Sequence, residues 1–243
     1  RRRIALDIAR SMRKSQEEEH PLRQLFWECT LRCNLRCQHC GSDCKQVAAT
    51  PDMPKEDFFK VLDSIAAKTD PHKVFVIISG GEPTMRADLE ECGKGIYSRG
   101  FPWGMVTNGF GMTAERFSRL LGAGLHSMTV SLDGLEENHD WLRGREGSFT
   151  RAAETIRMAV RSGIAFDVVT CVNRRNYPQL PQLKEFLIGL GLKEWRLFSI
   201  FPQGRAALNP DLQLPPEMFR GMLDFIRETR KEGRIKASYG CEG

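Results

Sequence analysis

Runs of apolar residues alternate along this chain with segments in which apolar residues recur every three or four positions. Val74 to Ile78 is a continuous apolar run, which is typical of a strand buried on both faces of a parallel sheet. Leu180, Leu183 and Leu187 follow helical spacing, which predicts a helix with one buried face. The same reasoning predicts strands at 25–27, 74–78, 103–106, 127–132, 166–172 and 195–201, and helices around 58–66, 152–160, 180–190 and 219–226.

These strands and helices alternate as six units, each of about 30 residues. Such an order is typical of parallel strands joined by right-handed crossovers. We therefore predict an α/β fold, a partial (βα)6 barrel like the TIM barrel, over residues 21–232. In such barrels the active site lies at the C-terminal ends of the strands. Ile4, Ile8 and Met12 lie four positions apart and predict a helical extension over residues 1–20.

The composition is that of a folded domain without a strong charge bias. Of the 243 residues, 41% are hydrophobic and 28% are charged. The net charge of +5 is small for this length, and basic residues are interspersed with acidic ones, so we expect no nucleic-acid partner. No apolar run approaches the roughly 18 residues that a membrane helix needs, so we expect no membrane span.

The cysteines are concentrated in one short segment. Five of the eight lie between Cys29 and Cys44, both included. A disulfide framework would distribute cysteines along a short secreted chain, whereas this clustering favours metal or redox chemistry in a reducing compartment. The basic start of the chain is not followed by a long apolar segment. We therefore expect no signal peptide and a cytoplasmic location.

Cys33, Cys37 and Cys40 follow the first predicted strand with the spacing C-x-x-x-C-x-x-C. Thiolates in one tight loop can bind a single metal centre. On a 4Fe–4S cluster these ligands would leave one iron open to a small molecule. The alternative is a structural zinc ion, which needs four ligands and would recruit Cys29 or Cys44. The spacing alone leaves both hypotheses open.

A pair of glycines and a glutamate, Gly80-Gly81-Glu82, follow the second predicted strand. Glycines allow a ligand to approach the backbone closely. The carboxylate of Glu82 could bind a cation such as an ammonium group. A simple turn is the alternative, since paired glycines are common, but the position at the end of the most apolar strand favours a binding role.

Weaker candidates follow the later strands. Ser131 could hydrogen-bond a sugar hydroxyl, whereas Asp133 and the glycine after it favour a turn. Arg143 could bind a carboxylate through two hydrogen bonds or be a solvated surface side chain. Asn173 could contact a ligand or merely end its strand, and 202–206 is expected to be a glycine turn. We assign no chemistry to His20, His72, His126 or His139.

Together these strand ends resemble the radical S-adenosylmethionine (SAM) superfamily. The cysteine spacing matches its cluster motif, and Gly80-Gly81-Glu82-Pro83 matches its glycine-rich motif. Segments 106–109, 130–134 and 139–144 resemble a subgroup that includes peptide-modifying maturases and enzymes of the molybdenum-cofactor type. The resemblance covers about residues 23–206.

The resemblance implies that Cys33, Cys37 and Cys40 bind a 4Fe–4S cluster whose open iron binds SAM. Among the residues near SAM, Glu82 would hold the ammonium group with the backbone of the two glycines. His39 would lie along the adenine, mainly through its backbone, and Ser131 would contact the ribose or the methionine end. The full set of SAM-binding residues that we predict is His39, Gly80, Gly81, Glu82, Ser131, Arg143 and Asn173.

A reaction and a set of partners are also implied by the resemblance. Such an enzyme cleaves SAM reductively to methionine and a 5′-deoxyadenosyl radical, which abstracts hydrogen from a peptide or protein side chain. A small-molecule substrate is the alternative, and a zinc-stabilised binding barrel without catalysis is the third hypothesis. Besides the substrate, the expected partner is an electron donor such as flavodoxin or ferredoxin. An oxygen-labile cluster fits a reducing cytoplasm.

The end of the chain resembles the first residues of a cysteine-rich extension, often called SPASM, which binds further clusters in the maturases of this subgroup. Tyr239-Gly240-Cys241 carries this likeness, and the further cysteines of such an extension are missing from the sequence. We therefore expect 233–243 to be the start of a truncated extension, with a short strand at 234–239 leaving the barrel. Cys241 is then expected to bind no cluster in this chain.

Overall fold

A single parallel sheet forms the centre of the protein, of which a computed structural model describes residues 2–240. Its seven strands lie in the order of the sequence, and each pairs in parallel with the next. The strands are β1 (Gln24–Glu28), β2 (Phe75–Ser79), β3 (Trp103–Thr107), β4 (Leu125–Ser131), β5 (Ala165–Val172), β6 (Glu194–Ser199) and β7 (Lys236–Tyr239). The C-terminal ends of all these strands therefore meet at one edge of the sheet.

Except for the first, which precedes β1, the helices connect consecutive strands. They are α1 (Arg2–Glu19), α2 (Lys55–Ala66), α3 (Leu89–Tyr97), α4 (Ala114–Gly122), α5 (Glu136–Arg143), α6 (Ser148–Ser162), α7 (Leu180–Gly189) and α8 (Pro216–Glu232). The apolar spacing predicts the regions of α1, α2, α6, α7 and α8. It does not single out α3, α4 or α5, which are nine, nine and eight residues long and offer too few turns for a clear period.

The predicted partial barrel with parallel strands is confirmed, with one strand more than the six predicted. The segment expected to leave the barrel forms β7 instead and pairs in parallel with β6. Ala237 is fully buried in this pairing, and the backbone N–H of Lys236 donates to the carbonyl of Lys193 at 2.9 Å. The sheet thus gains an edge strand, in which a small apolar residue is buried.

Burial along β2 alternates, although its sequence is continuously apolar. Val76 and Ile78 are fully buried, whereas Phe75 and Ile77 are half-buried. The half-buried residues share a face of the strand with Ser79, which lines the cavity described below. The prediction of burial on both faces therefore holds completely for one face and partly for the other, because the second face looks into the barrel.

The helices cover the outer face of the sheet and complete one hydrophobic core. Trp103 and Trp195 are its largest fully buried side chains. Their indole N–H groups donate to the carbonyl of Ala123 at 3.2 Å and to the hydroxyl of Thr170 at 2.9 Å. The indole donors of these two residues therefore both have a partner, which is what the low polarity of a core requires.

Helix α1 lies outside this core. Ile4, Ile8 and Met12 remain 64%, 55% and 60% exposed. Among residues 2–240, no helix has both the length and the apolar character needed to cross a membrane. The division of the chain into an extension over 1–20, a barrel and an extension over 233–243 stays a prediction, and Cys241 lies outside the described residues.

Candidate active site

A cavity of about 160 Å³ lies at the C-terminal ends of β2, β3 and β4. The loop that follows β1, here called the cysteine loop (residues 29–45), forms its other wall. The cavity is lined by Cys33, Cys37, His39, Cys40, Gly41, Ser42, Cys44, Ser79, Gly80, Gly81, Glu82, Val106, Thr107, Asn108, Ser131, Arg143 and Arg205. The structure thus brings together every predicted site residue except Asn173.

Hydrogen bonds from distant parts of the chain hold the cysteine loop, which has no regular secondary structure. The backbone N–H of Gln38 donates to the carbonyl of Leu142 at 2.8 Å. Arg205 donates from its backbone N–H to the carbonyl of Cys40 at 2.9 Å and from Nε to the carbonyl of Cys37 at 2.7 Å. The segment around Arg205, expected only to turn, therefore fixes the loop that carries the thiols.

Two of the three predicted cluster thiols are buried. Cys33 and Cys37 are each 8% exposed, and Cys40 is half-buried. Burial raises the pKa of the Cys33 thiol to about 12 and also raises the pKa of Cys37. A metal centre would have to displace these thiol protons, since the thiolate is the ligand.

Two side-chain N–H groups point at these sulfur atoms. Nδ2 of Asn108 lies 3.8 Å from Sγ of Cys33, and Nη1 of Arg143 lies 3.7 Å from Sγ of Cys37. Asn108 and Arg143 are themselves only 6% and 7% exposed. Donors aimed at sulfur suit thiolates that carry negative charge, so the donor set fits an iron–sulfur cluster.

Gly80 and Gly81 let the end of β2 approach the cysteine loop. A Cβ at Gly80, where φ is +134°, would lie 2.3 Å from the carbonyl oxygen of Thr30. A Cβ at Gly81 would lie 2.3 Å from the carbonyl oxygen of Arg32. The sequence predicts that these glycines make room for a ligand. The structure shows that they make room for the chain itself, and the role towards a ligand stays a prediction.

The carboxylate of Glu82 is engaged inside the protein. Oε1 accepts hydrogen bonds from the backbone N–H of Thr84 at 3.1 Å and from the hydroxyls of Thr84 and Thr107 at 2.8 Å each. Oε2 accepts from the backbone N–H of Asn108 at 2.7 Å. Burial raises the pKa of Glu82, and these hydrogen bonds oppose the shift. Glu82 lines the cavity, and its contact with the ammonium group of SAM stays a prediction.

A buried ion pair that the sequence did not predict lies beside Cys37. Nε of Arg143 is 2.6 Å from Oδ2 of Asp133, which is fully buried. Burial works to raise the pKa of Asp133, yet the guanidinium holds it below its usual value. Arg143 thus pairs with a carboxylate of its own chain, so the alternative of a solvated surface arginine is wrong. Its contact with SAM stays a prediction.

Asp133 is more than a turn residue. Its Oδ1 accepts from the backbone N–H of Cys171 at 2.8 Å, and its own backbone N–H donates to Nδ1 of His139 at 3.0 Å. Burial lowers the pKa of His139 to about 4, so the ring is neutral and can accept. The signal that sequence reasoning missed is the spacing of His139 and Arg143, which places both on one face of α5.

The side chain of His39, within the cysteine loop, lies near Asp133 and Cys171. Burial lowers the pKa of His39 to about 4, and its Nδ1 has no hydrogen-bond partner among the described residues. A ring nitrogen of His39, an oxygen of Asp133 and Sγ of Cys171 lie within 4.8 Å of one another. The guanidinium of Arg143 already supplies the positive charge beside Asp133, which disfavours a second metal ion there.

Asn173 does not line the cavity. Its Oδ1 accepts from the backbone N–H groups of Arg175 at 2.9 Å and Asn176 at 3.1 Å. This geometry matches the alternative that Asn173 ends β5 in a turn. Its contribution to SAM binding stays a prediction that the geometry does not favour.

The two candidates for a fourth zinc ligand lie in different places. Cys29 is 1% exposed and packs in the hydrophobic core. Cys44 is 5% exposed and lines the cavity beside the three thiols of the predicted cluster motif. The structure therefore leaves Cys44 as the candidate for a fourth thiol, and geometry alone does not separate zinc from an iron–sulfur cluster.

Comparison with known proteins identifies the family. The sequence profile of the Radical SAM superfamily matches residues 27–187. The chain belongs to the radical SAM superfamily. The match runs from β1 to α7 and takes in the cysteine loop, the paired glycines and the Asp133–Arg143 ion pair. The cofactors of this family are a 4Fe–4S cluster and SAM, so membership in the family decides against the non-catalytic zinc barrel.

The similar proteins differ in the activities that their names give. The AdoMet-dependent heme synthase of Methanosarcina barkeri is 29% identical over 220 residues, which cover 90% of this chain and 62% of the relative. The PqqA peptide cyclase of Rhizobium meliloti is 26% identical over 217 residues, which cover 89% of this chain and 56% of the relative. The chain thus spans about three-fifths of the length of these relatives.

A solved structure shares the fold. Streptococcus suis SuiB bound to S-adenosylmethionine superposes with a TM-score of 0.73 at 15% sequence identity. The superposition covers 98% of this chain and 55% of that one.

Proposed function

We propose that Cys33, Cys37 and Cys40 bind the cluster and that the cavity beside them binds SAM. The observation that carries this proposal is that all three thiols line the same cavity as Gly80, Gly81 and Ser131. When bound, the cofactors supply reductive cleavage of SAM and a 5′-deoxyadenosyl radical that abstracts hydrogen from the substrate. Exclusion of water from the cavity once the cofactors are bound would protect the radical from side reactions.

The residues of the chain position the cofactors. Arg205 holds the backbone of the cysteine loop, so that the thiols converge. Glu82 fixes the ends of β2 and β3 through its hydrogen bonds to Thr107 and Asn108. This arrangement leaves the backbone of Gly80 and Gly81 to meet the amino-acid end of SAM. Ser131, at the end of β4, offers a hydroxyl to the ribose or the methionine end.

SAM cleavage without substrate tests this proposal. Anaerobically reconstituted, dithionite-reduced protein is expected to convert SAM slowly to methionine and 5′-deoxyadenosine, measured by chromatography. Cys37→Ala should abolish both iron binding and cleavage. Cys92→Ala is the matched control, because Cys92 is fully buried in the core and does not line the cavity. Stoichiometric zinc in place of iron, or no 5′-deoxyadenosine from iron-loaded protein, would refute the proposal.

The substrate that we propose first is a peptide or protein side chain. Its support is the resemblance of the third and fourth strand ends to peptide maturases and the similarity to the PqqA peptide cyclase. An iron tetrapyrrole is the second candidate, favoured by the slightly higher identity to the heme synthase over 90% of this chain.

Faster formation of 5′-deoxyadenosine in the presence of a substrate separates these candidates. The reduced protein would be mixed with Fe-coproporphyrin III or with the PqqA peptide as probes. Stimulation by the peptide alone supports the first candidate. Stimulation by the tetrapyrrole alone would replace it with the second.

We further propose that a small acidic electron donor, such as flavodoxin or ferredoxin, docks on a groove beside Cys33. Arg36, Lys45 and Arg145 line this groove together with the exposed Val47. Opposite charges accelerate such encounters, and the groove brings the donor close to the cluster. Because the cluster requires cysteines that are not oxidised to disulfides, we propose a cytoplasmic location.

Reduction by flavodoxin tests the docking site. Arg36→Glu should slow cluster reduction several-fold at low ionic strength, while reduction by dithionite stays unchanged. Lys73→Glu is the control, because Lys73 precedes β2 and lies at the opposite end of the sheet. Equal rates for the two variants would contradict the proposed groove.

A further inference from the structure

We propose that Asn108 and Arg143 set the reduction potential of the cluster through hydrogen bonds to two of its thiolates. This inference rests on the proposed binding of the cluster by Cys33, Cys37 and Cys40. Nδ2 of Asn108 points at Sγ of Cys33 and Nη1 of Arg143 points at Sγ of Cys37, at 3.8 and 3.7 Å. Both distances lie within hydrogen-bonding range for sulfur.

The surroundings hold both donors in place. The backbone N–H of Asn108 is bonded to Glu82, its Nδ2 also donates to Oδ1 of Asn34 at 2.9 Å, and its Oδ1 accepts from the backbone N–H of Phe110 at 2.8 Å. The side chain of Asn108 therefore cannot rotate away without breaking several contacts. Arg143 is held by its buried ion pair with Asp133.

Electrostatics gives the direction of the effect. Reduction adds one electron to the cluster and increases the negative charge on its sulfur ligands. An N–H group aimed at sulfur stabilises that added charge, so it makes reduction more favourable and raises the potential. The full charge of Arg143 is partly offset by Asp133, which leaves the directed N–H as the local contribution at Cys37. Asn108 and Arg143 are thus positioning and tuning residues that act through the cysteines.

A pair of substitutions with equal charge isolates the hydrogen bond at Cys33. Asn108→Asp removes the N–H donor and adds a carboxylate. Asn34→Asp adds a carboxylate at the neighbouring position, 2.9 Å away, and leaves the donor of Asn108 in place. Reduction potentials would be measured by EPR-monitored titration of reconstituted protein. We expect the equilibrium constant for reduction to fall about tenfold further in Asn108→Asp than in Asn34→Asp, a difference of about 59 mV.

A second variant tests the donor at Cys37 without a change in net charge. Asp133→Asn combined with Arg143→Met removes one negative and one positive charge together with the N–H donor. We expect a lower potential than in the wild type at an equal content of iron and sulfide per chain. Should Asn108→Asp and Asn34→Asp shift the potential equally, and the double variant not at all, the tuning role would be overturned while cluster binding stands. Wild-type protein that takes up no iron would overturn the cluster assignment and this inference together.

Loss of iron from these variants, with an unchanged potential in the clusters that remain, would assign both residues a merely structural role. That result also contradicts the inference. The reduction potential is measured on cluster-loaded protein and does not depend on turnover. A role of Asn108 or Arg143 in substrate binding would therefore leave the reduction potential unchanged.

Discussion

The carboxylate of Glu82 joins the ends of two strands. Its four hydrogen-bond donors come from the turn after β2 and from the end of β3. A neutral amide at this position would turn an NH2 group towards at least one N–H or O–H donor. The side chain is 1% exposed, so water cannot replace the lost acceptor.

Replacing Glu82 by Gln should therefore destabilise the protein even without cofactors. We expect the free energy of unfolding to fall by about 1–3 kcal/mol, the cost of an unsatisfied buried polar group. Urea unfolding of the cluster-free, reduced protein measures it. In Glu115→Gln the altered side chain is 84% exposed, and the change should stay below about 0.5 kcal/mol. Equal stability of the two variants would show that Glu82 acts only on ligands.

At the scale of the element, the turn after β2 and the cysteine loop depend on each other. The backbone N–H of Gly81 donates to the carbonyl of Thr30 at 2.8 Å, and that of Glu82 donates to Arg32 at 2.9 Å. The two segments therefore pack backbone against backbone. This contact explains why two consecutive glycines stand here.

Gly81→Ala should separate these two segments. The added Cβ would meet the carbonyl oxygen of Arg32 at 2.3 Å, and backbone atoms cannot rotate aside. We expect a loss of roughly 1–3 kcal/mol in the free energy of unfolding and a several-fold lower iron content after reconstitution. Gly122→Ala, near the end of α4, meets no atom within 4 Å and should be neutral or slightly stabilising. Normal iron content in Gly81→Ala would disprove the dependence.

At the scale of the whole molecule, helix α1 lies outside the core of the barrel. The apolar side chains Ile4, Ile8 and Met12 of α1 stay more than half exposed. Because these side chains bury little apolar surface, they contribute little to the free energy of unfolding.

Deletion of residues 1–19 should leave the barrel intact. We expect the free energy of unfolding to change by less than about 0.5 kcal/mol, as for other changes at exposed positions, and the iron content to stay the same. Urea unfolding and an iron assay on the shortened protein measure both quantities. A larger loss of stability would mean that α1 belongs to the barrel and that the predicted boundary near residue 20 is wrong.

Local patterns in the sequence determined the alternation of strands and helices, and they predict which cysteines bind the cluster. The spacing of apolar residues shows which face of an element is buried. The period of that spacing distinguishes a strand from a helix. Cys33, Cys37 and Cys40 lie in one loop, so their spacing can be recognised without knowledge of the fold. The paired glycines before Glu82 can be recognised in the same way, because a close approach between backbone segments needs glycine in any fold.

Only the tertiary structure decided which partners the polar residues take. Arg205 reaches the carbonyl of Cys37 across 168 positions of sequence, and Asp133 meets Arg143 inside the barrel. Neither contact corresponds to a periodic pattern in the sequence. The strand crossovers set which distant side chains share the interior. In that desolvated space each buried charge must find a partner, a demand that local sequence does not express.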